Sequence, residues 1–442
     1  MLKLRPRPGI RLPHGAVAPP DGPPLLPQRL LLPLRHSRLD QSRPVVGEGQ
    51  RVQAGQALSH ALGLGARTVA TPLAGRVARV STRLLSLPAA RGGAPAGPLP
   101  LPCVELDELE PRGAGQTRAW RQLEPEALLA LLRPWGLPGE GGLPLDLELE
   151  LLPASSRLLL LAASPALPLL DHLLESAPAA AAAAVAALCR LHAFREAVLL
   201  RGPAGREGAG RLAALLEKIL PVRVVALEQG HPWDHPRLAA RAAGCPLPDP
   251  ARPLAAQGLL ALGLDRLWDL EARLAGEWPL APFWLLVQRL EPRRGLPAAS
   301  WQRLCQVWPG TPLGELLSAL GLDPAEELAL AGSPLEASPL LDPESPLLPG
   351  LRQLSLLPVG DLPAGGAEAC ISCGQCLDIC PVRLAPLRLA RLVEERRLPE
   401  ARELGLPHCL DCGLCTWICP SRVELGHHLR RGRLELEEAR LG

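Results

Sequence analysis

The chain has 442 residues and a formal net charge of +2. That length allows roughly two to four domains with cores of their own, and the near-neutral charge indicates neither nucleic acid nor an anionic membrane as a partner. The opening residues, Met1–Pro6, lack the apolar stretch of a signal peptide, and no run approaches the roughly 20 apolar residues of a membrane span. We therefore expect no transmembrane helix in this chain.

The N-terminal region predicts a small β domain. Between Val45 and Val80, short apolar stretches alternate with glycine and proline at turn positions. Their order resembles the barrel-sandwich hybrid fold of biotinyl and lipoyl carriers. Those carriers need a lysine in the central hairpin, whereas the lysines here are Lys3 and Lys218. We interpret residues 1–112 as a barrel-sandwich hybrid module without a swinging-arm function.

The central region, residues 113–280, alternates between helical and strand patterns. The patterns predict helices at 125–133, 178–192 and 208–219, and strands at 157–163, 197–201 and 222–227. A βαβ rhythm of this kind indicates a parallel, Rossmann-like α/β sheet. The fold class predicted for the whole chain is therefore multidomain α/β.

The cysteines indicate a metal-binding region near the C-terminal end. Eight of the twelve fall between Cys370 and Cys419, a clustering that suits a metal site in a reducing compartment better than a disulfide framework. We expect the other four to be buried as small apolar residues: Cys103, Cys189, Cys245 and Cys305.

Two cysteine runs repeat one spacing. Cys370–Pro381 and Cys409–Pro420 both follow C-x2-C-x2-C-x3-C-P, the spacing of bacterial proteins with two [4Fe–4S] clusters. Three cysteines of a run can surround one corner of a cubane from a single loop, whereas the fourth lies beyond that loop and reaches the other cluster. The spacing thus predicts two crossed ligand sets: Cys370, Cys373, Cys376 and Cys419 for one cluster, and Cys409, Cys412, Cys415 and Cys380 for the other.

Zinc is the alternative metal for such cysteines. Paired C-x2-C units can build a tetrathiolate zinc site, but this uses four cysteines and leaves four more unexplained. The patterns after each run predict helices at 386–397 and from 420 to 438, which indicates an α-helical ferredoxin domain over residues 351–442. Nearby His408, His427 and His428 are expected at the surface or beside the ligands, since eight cysteines already fill the ligand positions.

The order of motifs along the chain resembles the C subunit of the Rnf-type (Rsx) ion-translocating oxidoreductase complex. The resemblance implies that the eight cysteines are cluster ligands and that residues 281–350 form a β-grasp, soluble-ligand-binding domain. The stretches that carry it are Gly9–Pro13, Val46–Val80, Pro309–Leu317, Pro381–Leu389 and Pro420–Leu425.

The region corresponding to that family's FMN and NADH site departs from its pattern. The family's Gly-rich loop corresponds to Gly139–Leu145, which lacks an Ala-Gly pair, and its acidic strand ends correspond to Ala162–Pro168 and Leu200–Pro203, which lack the acids. The missing glycines would let the backbone approach a phosphate or flavin ring. We therefore expect a divergent member without bound FMN and without NADH oxidation of its own.

Three functional hypotheses follow. The first is an electron-transfer subunit, peripheral on the cytoplasmic face of a bacterial inner membrane. Its partners would be the other subunits of a membrane Rnf-like complex, with a soluble ferredoxin or an NADH-linked protein as donor or acceptor. The second is an FMN-containing, NADH-oxidising catalytic subunit. The third is a stand-alone iron–sulfur adaptor for another dehydrogenase.

Overall fold

The fold is taken from a computed structural model. It describes residues 24–35, 41–62, 68–85, 99–110, 120–130, 132, 139–140, 143–162, 164, 169–203, 205–227, 230–245, 247, 249, 252–275, 282–291, 298–362 and 365–441. The Gly9–Pro13 motif lies outside these residues. The protein is mixed α/β, with a parallel sheet in its middle and a helical C-terminal region.

The N-terminal part consists of short and long strands. They are β1 (Leu30–Pro33), β2 (Arg43–Pro44), β3 (Arg51–Val52), β4 (Ser59–His60), β5 (Ala74–Leu85) and β6 (Leu99–Glu110). An antiparallel sheet has the order β1-β6-β5-β3, and β2 pairs with β4. Its apolar core also receives Trp308 and Leu348 from later in the chain. The barrel-sandwich assignment of this part stays a prediction.

The central part contains the predicted parallel sheet. Its elements are α1 (Pro125–Ala130), α2 (Leu145–Leu151), β7 (Ser156–Leu161), α3 (Leu169–Ser176), α4 (Pro178–Leu191), β8 (Phe194–Arg201), α5 (Arg206–Leu216), β9 (Val222–Ala226), α6 (Pro236–Ala242), β10 (Leu259–Gly263) and α7 (Leu264–Leu274). The order is β10-β7-β8-β9, and every pair is parallel.

The leucine run of β7 fits a strand that is covered on both faces. Leu158 and Leu160 join the core on one face of the sheet, whereas Leu159 and Leu161 join the core on the other. Alternate side chains of a strand point to opposite faces, so a strand covered by helices on both faces must be apolar throughout. The same holds for β10 at the edge of the sheet, which is also buried along its whole length.

Asp171 on α3 is expected to make the stability of this part depend on pH. Burial, and then the nearby Glu175 carboxylate, raises the pKa of Asp171 from 3.8 to about 6. The folded state then binds the proton more tightly than the unfolded state, so the free energy of unfolding falls as pH rises through this window. We expect Asp171→Asn to raise it by about 1–2 kcal/mol near pH 7.5, allowing for partial exposure, and by less near pH 5.

Urea denaturation followed by circular dichroism at both pH values measures this effect. Glu207→Gln is the matched control, because Glu207 lies on α5 with a side chain that is 86% exposed. A gain from Asp171→Asn that is equal at both pH values would contradict the prediction.

The third part is a mixed sheet. Its elements are β11 (Phe283–Glu291), β12 (Ala298–Val307), β13 (Thr311–Pro312), α8 (Leu313–Ala319), β14 (Glu327–Ala331), β15 (Ser338–Leu340), β16 (Pro346–Leu347) and β17 (Gln353–Pro358). The strand order is β12-β11-β17-β14-β15, so β17 is the central strand. The chain returns to this sheet at Gln353–Pro358, just beyond the boundary expected at 350, and the domain division stays a prediction.

The C-terminal part is helical, as predicted. Its helices are α9 (Gln375–Ile379), α10 (Pro386–Glu394), α11 (Leu398–Glu403), α12 (Leu414–Trp417) and α13 (Leu425–Leu441). Leu389 and Val393 of α10 pack against Leu425 and Leu429 of α13 in a small core. Cys376 of the first run, and Cys409 and Cys415 of the second, pack against this core.

The four cysteines outside the two runs differ in burial. Cys103 and Cys245 are buried as expected, whereas Cys189 and Cys305 are only half-buried.

Within the described ranges, no single helix has the length and apolar character to cross a membrane. One bent pair, Leu170–Ser176 with Pro178–Leu191, meets both criteria when taken together, at an angle of 95°.

Candidate metal centre

The two cysteine runs adopt the same backbone conformation. Positive φ angles occur at the same three positions of each run. These positions are the residue before the second cysteine, the glycine after that cysteine, and the residue two positions beyond the proline. The values are 56°, 78° and 54° for Ser372, Gly374 and Arg383, and 55°, 70° and 53° for Asp411, Gly413 and Arg422. Left-handed backbone is unfavourable for non-glycine residues. Its recurrence at matching positions indicates that both runs present their thiols in the same way.

The thiols of one predicted set line a common cavity. Cys380, Cys409, Cys412 and Cys415 surround it, with Leu414 and Leu429 in the wall. Burial raises the pKa of Cys409 to about 11. Burial, and then the neighbouring thiols, raises the pKa of Cys415 to about 12. These cysteines are therefore protonated thiols at neutral pH in the metal-free chain, and metal binding must release their protons.

The arrangement of these four thiols suits a cubane. Among the residues that the structure describes, no three His, Cys, Asp or Glu side chains meet closely enough to hold one metal ion. The four thiols stand around the cavity instead. Each thiolate of a [4Fe–4S] cluster bonds a different iron atom, whereas the ligands of zinc must all meet at one ion. A cavity lined by four thiols is what a cubane site requires, and zinc stays the alternative metal.

The other predicted set lies closer to solvent. Cys370 and Cys373 are exposed, and Cys376 and Cys419 are half-buried. The neighbouring Ile371 has 68% of its surface exposed. Helix α9, which carries Cys376, packs against α12 of the second run. The two sets are therefore adjacent, with one facing outward and the other facing the body of the protein.

Main-chain and arginine donors surround the cysteines. The Leu384 amide donates to Cys380 Sγ at 3.3 Å, and the Ser372 amide donates to Cys370 Sγ at 3.4 Å. Arg433 Nη1 donates to the Cys409 carbonyl at 3.0 Å. Such donors stabilise thiolate charge and orient the ligands of a cluster.

The set that lines the cavity, called the buried set below, contains the buried Cys380 and the half-buried Cys409, Cys412 and Cys415, and it lies between two other parts of the chain. His231, in the loop after β9, places Nε2 2.9 Å from the Cys412 carbonyl oxygen. In the turn between β14 and β15 of the third sheet, the Leu335 carbonyl lies directly against Gly413, with no room for a side chain there. Leu410 packs against Trp233 and Leu238. The second cysteine run is thus clamped by the α/β part on one side and by the third sheet on the other.

His231 and Leu335 are neighbours of the cysteines that were not predicted from the sequence. The sequence around His231 does have an unusual composition that could have marked it. Residues Gly230–Pro236 read GHPWDHP and concentrate two of the ten histidines with a tryptophan and an aspartate. No signal marked Leu335. His408 and His427 are exposed, and His428 lies 3.2 Å from a Glu394 carboxylate oxygen, as expected of surface residues.

The crevice where an α/β sheet binds cofactors is occupied by charged side chains. The chain leaves β7 for β8 and returns from β9 to β10 on the other side of β7, so this crevice lies between the carboxyl ends of β7 and β10. Arg352 lies there against Gly263, the last residue of β10, and pairs with Glu140 and Asp265. Burial alone would raise the pKa of Asp265, but the Arg352 and Arg266 guanidinium groups hold it below its usual range.

Buried carboxylates lie beside the described part of the Gly139–Leu145 stretch. The carboxylate of Glu148 lies directly against Gly139, and Asp146 and Glu148 are both buried. A phosphate placed beside Gly139 would therefore meet a buried carboxylate, which is unfavourable for an anion. Gly141, Gly142 and Pro165–Pro168 lie outside the described residues.

Comparisons with known proteins identify an iron–sulfur domain in the region of the two cysteine runs. Residues 369–423, which include all eight, match the family model "4Fe-4S dicluster domain". Over 98 residues the chain is 31% identical to the C subunit of the ion-translocating oxidoreductase complex of Rhodobacter capsulatus, a match that spans 22% of this chain and 19% of that relative.

Among solved structures, the NAD+-reducing [NiFe]-hydrogenase is similar in its H2-reduced and air-oxidized states. Identity is 15% and 14%, the similarity covers 73% of this chain and 62% of that one, and the TM-scores are 0.46 and 0.44. The chain is therefore an iron–sulfur electron-transfer protein that is related to the C subunit of the ion-translocating oxidoreductase complex, and its residues 369–423 form a 4Fe–4S dicluster domain.

Proposed function

We propose that this chain is the electron-transfer subunit of a membrane-associated, Rnf-like ion-translocating complex, and that it relays single electrons through two [4Fe–4S] clusters. The ligand sets are Cys370, Cys373, Cys376 and Cys419 for the outward cluster, and Cys409, Cys412, Cys415 and Cys380 for the buried one. The observation that carries this proposal is the matching left-handed backbone pattern of the two cysteine runs.

The position of the two sets supports a relay through the C-terminal domain. Cys370 and Cys373 are exposed, which lets a redox partner approach the outward cluster closely. The second run contacts the α/β part and the third sheet instead. Electrons would thus pass between a partner at the surface and the interior of the complex. The N-terminal module and the proposed β-grasp domain would serve as docking scaffolds on the cytoplasmic face of the inner membrane.

We further propose that the chain holds no FMN and does not oxidise NADH itself. The ion pairs of Arg352 with Glu140 and Asp265, and the Glu148 carboxylate beside Gly139, support this. The competing function is an NADH-oxidising flavin subunit, which needs this crevice open.

Purified, iron-replete protein tests both proposals. We expect about eight irons per chain, two EPR signals on reduction, and flavin far below one per chain, with no bleaching by NADH. Incubation with excess FMN followed by gel filtration is the control for cofactor lost during purification. Stoichiometric flavin that NADH bleaches would establish the catalytic alternative. About four irons or fewer would contradict the relay.

Membrane partners separate the first hypothesis from a stand-alone adaptor. Affinity purification of the tagged chain from solubilised membranes of its own cells is expected to recover integral membrane subunits. Recovery of a soluble dehydrogenase without membrane subunits would establish the adaptor function instead.

A further inference from the structure

His231 connects the α/β part to the backbone of a cluster ligand. Its side chain is fully buried, and Nε2 lies 2.9 Å from the carbonyl oxygen of Cys412. A carbonyl only accepts hydrogen bonds, so Nε2 carries the hydrogen and donates it. The Glu336 carboxylate is also near Nε2, but its Oε1 lies 3.9 Å away, which is too distant for a hydrogen bond. The cysteine carbonyl is therefore the acceptor of this donor.

Groups at the end of the parallel sheet lie on the Nδ1 side of the imidazole ring. Nδ1 faces the carboxylate of Asp234, with Oδ1 at 4.0 Å. Asp234 is itself fully buried and accepts a hydrogen bond from the Ser164 hydroxyl, just beyond β7. The sheet end thus orients Asp234, Asp234 faces the ring, and the ring presents its N–H to the cysteine loop.

A donor in this position bears on the reduction potential of a cluster. Potentials of [4Fe–4S] clusters depend on nearby hydrogen bonds, dipoles and solvent access, and reduction adds negative charge that N–H dipoles stabilise. The His231 N–H donates to the backbone of the second run, whereas Cys370 and Cys373 belong to the other set and are exposed to solvent. Its effect should therefore fall on one cluster.

We propose that His231 is a positioning residue for the buried cluster: its Nε2–H donates to the Cys412 carbonyl, holds the 409–415 loop against the α/β part and raises the potential of that cluster alone. This rests on the proposed function, because it takes Cys380, Cys409, Cys412 and Cys415 to hold a [4Fe–4S] cluster.

Two variants separate the donor from the volume of the ring. His231→Leu removes the donor while filling most of the space, which keeps water out. His231→Gln retains an N–H that can reach the same carbonyl. His192→Leu is the matched control, since this histidine belongs to the same part of the chain but lies beside Phe194 at the amino end of β8.

EPR-monitored redox titration of the full chain is the measurement, with the two signals assigned through cysteine variants. We expect His231→Leu to lower the midpoint potential of the buried cluster and leave the outward cluster unchanged. His231→Gln and His192→Leu should match the wild type. Unchanged potentials in His231→Leu, or equal shifts of both clusters, would overturn the proposal.

Iron content decides the case in which His231→Leu fails to retain the buried cluster. Loss of about half the iron in His231→Leu with full retention in His231→Gln supports the donor role. Loss in both variants contradicts it, because then the shape of histidine matters and not its N–H. A wild-type chain without two clusters would instead refute the proposed function, whatever the His231 variants do.

Discussion

The variant Cys412→Ala is expected to lose about four of the chain's about eight irons, together with one of its two EPR signals. The variant Cys376→Ala is expected to lose the other irons and the other EPR signal. The reason is that each cysteine belongs to a different ligand set, one around the buried cavity and one near the surface. A thiol-free side chain at either position leaves one cubane with an open coordination site, and a three-ligand site binds its cluster much more weakly.

Cys380 and Cys419, the fourth cysteines of the two runs, test whether the ligand sets are crossed between the runs. Cys380 lies in the first run but lines the cavity of the second. Cys380→Ala should therefore reproduce the spectrum of Cys412→Ala, and Cys419→Ala that of Cys376→Ala. Cys305→Ala is the control, since this thiol lies on β12 away from both runs, and it should retain all the iron.

Iron analysis and EPR of the reduced proteins measure these losses. If Cys380→Ala instead resembles Cys376→Ala, each run holds a cluster by itself and the crossed assignment is wrong. If both signals survive Cys376→Ala intact, Cys376 is not a ligand.

Alanine at Gly413 is expected to destabilise the protein by about 4 kcal/mol or more, and alanine at Gly374 by about 1–2 kcal/mol. Both glycines occupy the same position in their runs, with φ of 70° and 78°. A Cβ in this conformation is unfavourable at either site. At Gly413 it would also collide with the Leu335 carbonyl, whereas at Gly374 nothing lies within 4 Å of the added atom.

The difference between the two variants isolates the contact with the third sheet. Urea denaturation of iron-replete protein gives the two free energies of unfolding, and iron content shows which cluster is lost. We expect Gly413→Ala to lose the buried cluster selectively. Equal losses of stability in the two variants would show that the Leu335 carbonyl does not press on the second run in solution.

Much of the architecture could be predicted because its signals are local. The apolar pattern indicated a strand at 157–163, and the βαβ rhythm indicated a parallel sheet, as observed. The return of the chain to the third sheet at Gln353–Pro358 was not predicted, because this segment is short and mixed in character and only its partners β11 and β14 show it to be a central strand. Strand pairing between distant segments has no local signal of this kind.

The cysteine runs also combine features with a local sequence signal and features that depend on long-range packing. The repeated spacing of the eight thiols could be predicted, because spacing and turn chemistry are local properties of the chain. In contrast, the exposure of one set and the packing of the other between His231 and Leu335 arise only when distant segments meet in the folded chain. These contacts join residues 181 positions apart in the first case, and burial depends on such long-range packing. The same holds for Arg352 in the cofactor crevice, whose partners Glu140 and Asp265 meet it only in the folded chain.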